Sequence, residues 1–171
     1  MFETDVPAAI YNAIGDIITG SADLNYFKTR QKGYRPIGEN LTNPTMFPWI
    51  FMEYKATTQP TNPRTGRWEY DFIISVVAMT LADKGNFEDL VYNTTSGNAN
   101  KGIGTIIYDI KKVLWAYHKG GLLGIPEIQD WNIGETHQPT VLSVQRLLFS
   151  EYVRGMQLDI NFRIWESELL P

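Results

Sequence analysis

His118 and His137 are the only imidazoles in the chain, and there is no cysteine beside them. Disulfides, thiol catalysis and thiolate metal sites are therefore excluded. A helical zinc motif needs two histidines one turn apart, whereas a helix end, a strand and a loop are expected between these two. His118 falls in the last turn of a predicted helix, where a cation suits the helix dipole. His137 falls in the turn expected over residues 135–140. Carboxylates come close together at Glu69 and Asp71 and at Glu88 and Asp89, without a spacing diagnostic of paired acid–base work. Ser143 and Ser150 lack the G-x-S-x-G elbow. Gly97, Gly102 and Gly104 do not form a phosphate-binding loop. No nucleophile, base and orienting group can be assembled from sequence neighbours. The expectation is a protein that is not an enzyme and that needs neither metal nor cofactor.

One cluster suits binding better than catalysis. Lys28, Arg30, Lys32 and Arg35 interleave with Tyr26, Phe27 and Tyr34. Rings that stack on bases beside cations that meet phosphates can hold single strands. Asp23 and Glu39 partly offset that charge, so a solvated loop packing its rings on a neighbour is the stronger expectation. A net charge of −4 also argues against a surface that wraps phosphate backbones as a whole.

The elements that carry these residues follow from periodicity. Ile10, Ile14, Ile17 and Ile18 recur at helical spacing after Pro7, with Thr4 or Asp5 as cap and Gly20 as stop. Residues 21–46 read as a long loop. Phe47–Tyr54 is a short apolar strand, and Arg67–Leu81 is a long one, joined by a polar link into a hairpin. Along the second strand Trp68, Tyr70, Phe72, Ile74, Val76 and Ala78 share a face. Ile103, Ile106, Ile107, Ile110, Val113, Leu114 and Tyr117 form the stripe of a second helix, ended by Gly120-Gly121. Residues 124–134 read as a strand. From Met156 to Ile164 apolar and polar residues alternate strictly, which predicts a half-buried strand. A turn at Arg154-Gly155 would pair it with residues 141–153 in a terminal hairpin. The predicted fold is a single α+β domain over 1–171, mainly antiparallel with long hairpins, flanked by two helices on one face.

Composition adds three bounds. At 43% hydrophobic and 20% charged the chain is an ordinary globular one. No run approaches the roughly 18 apolar residues of a membrane helix, so no membrane partner is expected. The first residues are acidic rather than basic, so no export signal is expected. Aromatic content of 13%, with five Trp, invites a role at interfaces as well as in a core.

Several stretches resemble the tail-terminator family of long-tailed bacteriophages. Phe47-Pro48-Trp49-Ile50-Phe51-Met52 is similar to that family's aromatic "YPAIFV" strand, and Trp68–Thr80 to its long hairpin strand. Asp109-Ile110-Lys111-Lys112-Val113-Leu114 resembles its "DIKxVL" helix. Leu158-Asp159-Ile160-Asn161-Phe162-Arg163 parallels its closing strand, "xxxIxVxYR". The resemblance spans about residues 5–166, and departs from the family pattern in the 21–46 loop and the 141–153 strand. It implies a virion protein, assembled in the host cytoplasm, that forms a hexameric ring at the head-proximal end of the tail. Such a ring stops tube polymerisation, touches the tube protein and a head–tail connector or stopper protein, and lets DNA pass through its lumen without specific binding. Other neck, sheath-terminator and head-completion proteins share these features and stay open. Candidate interface residues are Trp49, Arg64, Arg67, Trp68, Tyr70, Arg154 and Arg163. Lys28, Arg30, Lys32 and Arg35 remain the candidates for nucleic-acid contact.

Overall fold

The computed structural model describes residues 6–33, 47–58, 68–81, 101–119, 123–137 and 153–166. Helix α1 (Val6–Gly20) buries Val6, Ile10, Ile14, Ile17 and Ile18, the stripe that isoleucine spacing predicts. Pro7 sits in its first turn, where the missing N–H has no intrahelical partner to lose. The expected cap at Thr4 or Asp5 lies outside the described residues. A 3₁₀ turn (Ala22–Leu24) leads into β1 (Thr29–Gln31). Then come β2 (Trp49–Thr57), β3 (Trp68–Leu81), helix α2 (Ile103–Lys119), β4 (Ile128–His137) and β5 (Val153–Glu166).

These strands form one sheet in the order β1-β2-β3-β5-β4, antiparallel except for the β1–β2 pair. The fold is α+β, as the element pattern requires. Its spine is β3 against β5, paired without a break from Trp68↔Glu166 to Leu81↔Val153. Alternation then decides the faces. Tyr70, Phe72, Ile74, Val76 and Ala78 of β3 and Leu158, Ile160, Phe162 and Ile164 of β5 turn to the helices. With both helices, and with Ile50, Met52 and Trp131, they make one apolar cluster. Each fully buried side chain of this size contributes roughly 1.5–3 kcal/mol. Phe162 stacks on Trp131 at 5.6 Å between ring centroids, which fastens β4 to β5.

Four sequence expectations need correction. The 21–46 loop contains β1, a three-residue parallel edge strand with no period long enough to read. The terminal strand is not one arm of a hairpin turning at Arg154-Gly155. Both residues lie inside β5, opposite Thr80 and Met79, and β3 and β4 occupy its two edges over residues 157–164. The predicted arm 141–153 lies, up to residue 152, outside the described residues. Strand β4 runs on to His137, through the stretch expected to turn. Tyr117, placed with the apolar stripe of α2, is 42% exposed, whereas Ile103 to Leu114 of that stripe are buried as expected.

Candidate functional site

Two regions concentrate side chains that could act: the sheet face away from the helices, and the outer side of α2. On the sheet face the centre is Asp159 of β5. Ser75, opposite it on β3, donates to Oδ1 at 2.7 Å, and Gln157 Nε2 donates to the same oxygen at 2.8 Å. Lys55 Nζ donates to Oδ2, and His137 Nε2 lies 3.0 Å from it. Gln157 also donates to Ser75 Oγ at 2.9 Å, closing the network.

Sheet irregularities assemble this cluster. Lys55 is the extra residue where β2 shifts register between Tyr54 and Ala56, and a bulge re-aims a side chain. On the other flank β4 shifts between Ile133 and Thr136, so that Gly134 and Glu135 together span the position of Asp159. Gly134 is required there. A Cβ on it would stand 2.8 Å from the Asp159 carbonyl oxygen and 2.9 Å from Asn161 Nδ2. The shift also restores His137 to the outer face, opposite Gln157.

Burial works to raise the Asp159 pKa, but the hydrogen bonds from Gln157, Lys55, His137 and Ser75 outweigh it. The carboxyl is held well below the usual carboxylate range. A carboxylate so fully engaged is a poor base. Ser75 gives its proton to Asp159 rather than to an imidazole, and the His137 nitrogen bonded there faces the same carboxylate. The arrangement is a structural hub that ties β2, β3, β4 and β5 together. It is not an assembled nucleophile.

His118 is used for packing rather than for the dipole alone. Its Nε2 lies 2.7 Å from the Trp131 carbonyl oxygen, which accepts its hydrogen. Its ring stands edge-on to Trp115 and to Trp131, 5.0 Å from each. Among the described residues, no three His, Asp or Glu side chains are grouped to hold a metal ion.

The predicted contact residues fall apart in space and in role. Trp49 is buried, edge-on to Phe47 and Phe51. Tyr70 is buried too, and its hydroxyl donates to Glu166 Oε1 at 3.1 Å. Trp68 is half-buried at the start of β3. Exposed Arg163 pairs within the chain, 3.3 Å from Asp71 and 3.7 Å from Glu69 on β3. Arg154 has its place in β5, opposite Thr80. Arg64 and Arg67 lie outside the described residues.

In the basic, aromatic cluster Phe27 is buried and stacks with Tyr26. Tyr26 donates to Asp109 Oδ2 at 3.0 Å and lies under Lys101 Nζ, 4.0 Å from the ring centre. Burial first, and then the Asp109 charge, push its hydroxyl pKa far upward. Arg30 donates to the Ser21 carbonyl at 3.0 Å, and Lys32 pairs with Asp16. Lys28 contributes its backbone N–H to the Pro48 carbonyl. Tyr34 and Arg35 lie outside the described residues.

The second region was not singled out by the sequence. On the side of α2 away from the core, Tyr108 and Trp115 are 68% and 48% exposed, and Tyr117, further round the helix in its last turn, is 42% exposed. With Lys111, Lys112 and Asp23 from the turn after α1, these rings line an open groove of about 860 Å³. The available signal was the i, i+3, i+4, i+7 spacing of Tyr108, Lys111, Lys112 and Trp115, a stripe opposite the isoleucines. No protein-family model matches the chain, and no curated protein matches it. No helix among the described residues is long and apolar enough to cross a membrane.

Proposed function

We propose that this chain is a structural subunit that assembles into a ring, hexameric as the resemblance to tail terminators implies, at the head-proximal end of a phage tail. The ring ends tube polymerisation and docks to the head connector. The observation that supports it is the outer side of α2. Tyr108 and Trp115 stand exposed two turns apart on one side of the helix, with Lys111 and Lys112 between them and an open groove that Tyr117 also lines. Exposed rings interleaved with cations suit a surface for another protein. The side chains suited to chemistry are engaged inside the fold instead, at Asp159 and at His118. The nucleic-acid reading draws less support, since Phe27, Tyr26, Arg30 and Lys32 all have partners within the chain.

Negative-stain imaging of the purified protein mixed with cognate tail tubes tests this reading. Rings capping one end of the tubes support it. Uncapped tubes, with the protein bound to head connectors, move it to the head side of the neck. Binding to neither removes it.

A further inference from the structure

We infer that copies of this chain associate head to tail, the basic, aromatic side of α2 in one copy meeting the acidic β4 edge of the next. The inference rests on the assembly reading above and names the two surfaces that meet. Among the described residues Lys111 and Lys112 have no carboxylate within ion-pair distance, although Asp23 lines the same groove, whereas Lys32, Lys55 and Lys101 each have one. Strand β4 is the last strand at one end of the sheet among the described residues and carries exposed Asp130 and Glu135, with half-buried Glu127 just before it. These carboxylates have no cation within ion-pair distance among the described residues either. Asp130 stands opposite Arg163 in register, yet the guanidinium turns to Glu69 and Asp71.

The two surfaces therefore carry unmatched charge of opposite sign, on the same chain but on different parts of the fold. Lys111 and Lys112 belong to the helix layer, while Asp130 belongs to the edge strand and, by its register with Arg163, to the opposite face of the sheet. A two-fold contact through α2 alone would set lysine against lysine, which costs association. A contact of α2 on β4 sets lysine against carboxylate and leaves the complementary surface of each copy free for another. Association of this kind is heterologous, and it closes into a ring when the rotation between copies permits. Tyr108 and Trp115 supply the rings that charge alone lacks, since exposed ion pairs steer and register a contact more than they hold it.

Charge reversal tests this in the full chain without tail tubes. Sedimentation velocity at low salt is expected to show self-association of the wild type that weakens as salt rises. Lys111→Glu with Lys112→Glu, and separately Asp130→Lys with Glu135→Lys, should each weaken it about tenfold or more. An equimolar mixture of the two variants, or all four substitutions in one chain, should restore it. A wild type that stays monomeric up to its solubility limit overturns the inference. So does either variant associating as wild type, or a mixture that fails to recover. Circular dichroism on each variant guards against misfolding, and recovery in the mixture cannot arise from misfolded chains. Tube capping retained by Lys111→Glu with Lys112→Glu would leave the terminator reading standing and remove this pairing. Charge-dependent association without capping would do the reverse.

Discussion

The outer sheet face around Asp159 and the outer side of α2 both carry charge, and they treat it in opposite ways. Around Asp159, donors from three other strand positions and from its own strand converge on one carboxylate, and Arg163 nearby turns to two acids of β3. Along α2, Lys111 and Lys112 stand beside exposed rings and make no ion pair among the described residues, although Asp23 lines the same groove. The difference separates charge that fixes the fold from charge left for a partner. A partly buried carboxylate stripped of its donors costs several kcal/mol, so such a network pins strand register. An exposed lysine costs the fold almost nothing, and it is free to meet another molecule.

Substitutions sharpen or break that contrast, beginning with the largest effect. Asp159→Ala leaves Ser75, Gln157 and Lys55 without their acceptor, and should cost about 3 kcal/mol of stability in urea denaturation. A loss as small as that of an ordinary surface change would show that the network does not hold the strands. Gly134→Ala forces a Cβ against the β5 backbone and should cost about 2 kcal/mol by the same assay. Here the obstacle is main chain, which cannot swing aside. At Gly15 the nearest atoms belong to the flexible Lys32 side chain, so Gly15→Ala should be far milder.

Acid titration separates the carboxylate's charge from its shape. The folded-state pKa of Asp159 lies below its unfolded value, so its contribution is complete above about pH 4, where the unfolded group is ionised. That contribution is lost as pH falls from there toward the folded-state value. Asp159→Asn should therefore be clearly less stable than wild type at neutral pH. The gap should shrink in denaturation curves below about pH 4. A gap that does not depend on pH would assign the effect to packing. Smallest for the fold is Tyr108→Ser, expected to change stability by less than about 0.5 kcal/mol. It should nonetheless weaken self-association, read by sedimentation. If it unfolds the chain, the ring is part of the core and the contrast fails.

Periodicity made the larger half of this fold legible. Isoleucine spacing marks both helices, strict alternation marks the buried face of β5, and the shared face of Tyr70 to Ala78 marks β3. What escaped depended on register between distant segments. Asp159 read only as one polar member of an alternating strand. Its donors come from residues 22 to 104 positions away, except for Gln157. His137 reads as a turn residue within the polar stretch 135–140, flanked by Thr136 and Gln138, whereas β4 shifts register after Ile133 and runs on through it. β1 was too short to show any period. Tyr117 falls in the apolar stripe by spacing, although a phenol is equally at home on an exposed surface, and it stands exposed in the last turn of α2. Trp49 and Tyr70, candidates for packing or for interfaces, are both buried within the chain.

The growth of cognate tail tubes in the presence of this chain addresses its proposed role most directly, followed by light scattering. A terminating ring should arrest elongation at amounts far below the tube protein, because each ring closes one end. The Tyr108→Ser protein, folded as wild type, should arrest it less well. Tubes that elongate at an unchanged rate, with wild-type protein in excess, would contradict the assignment.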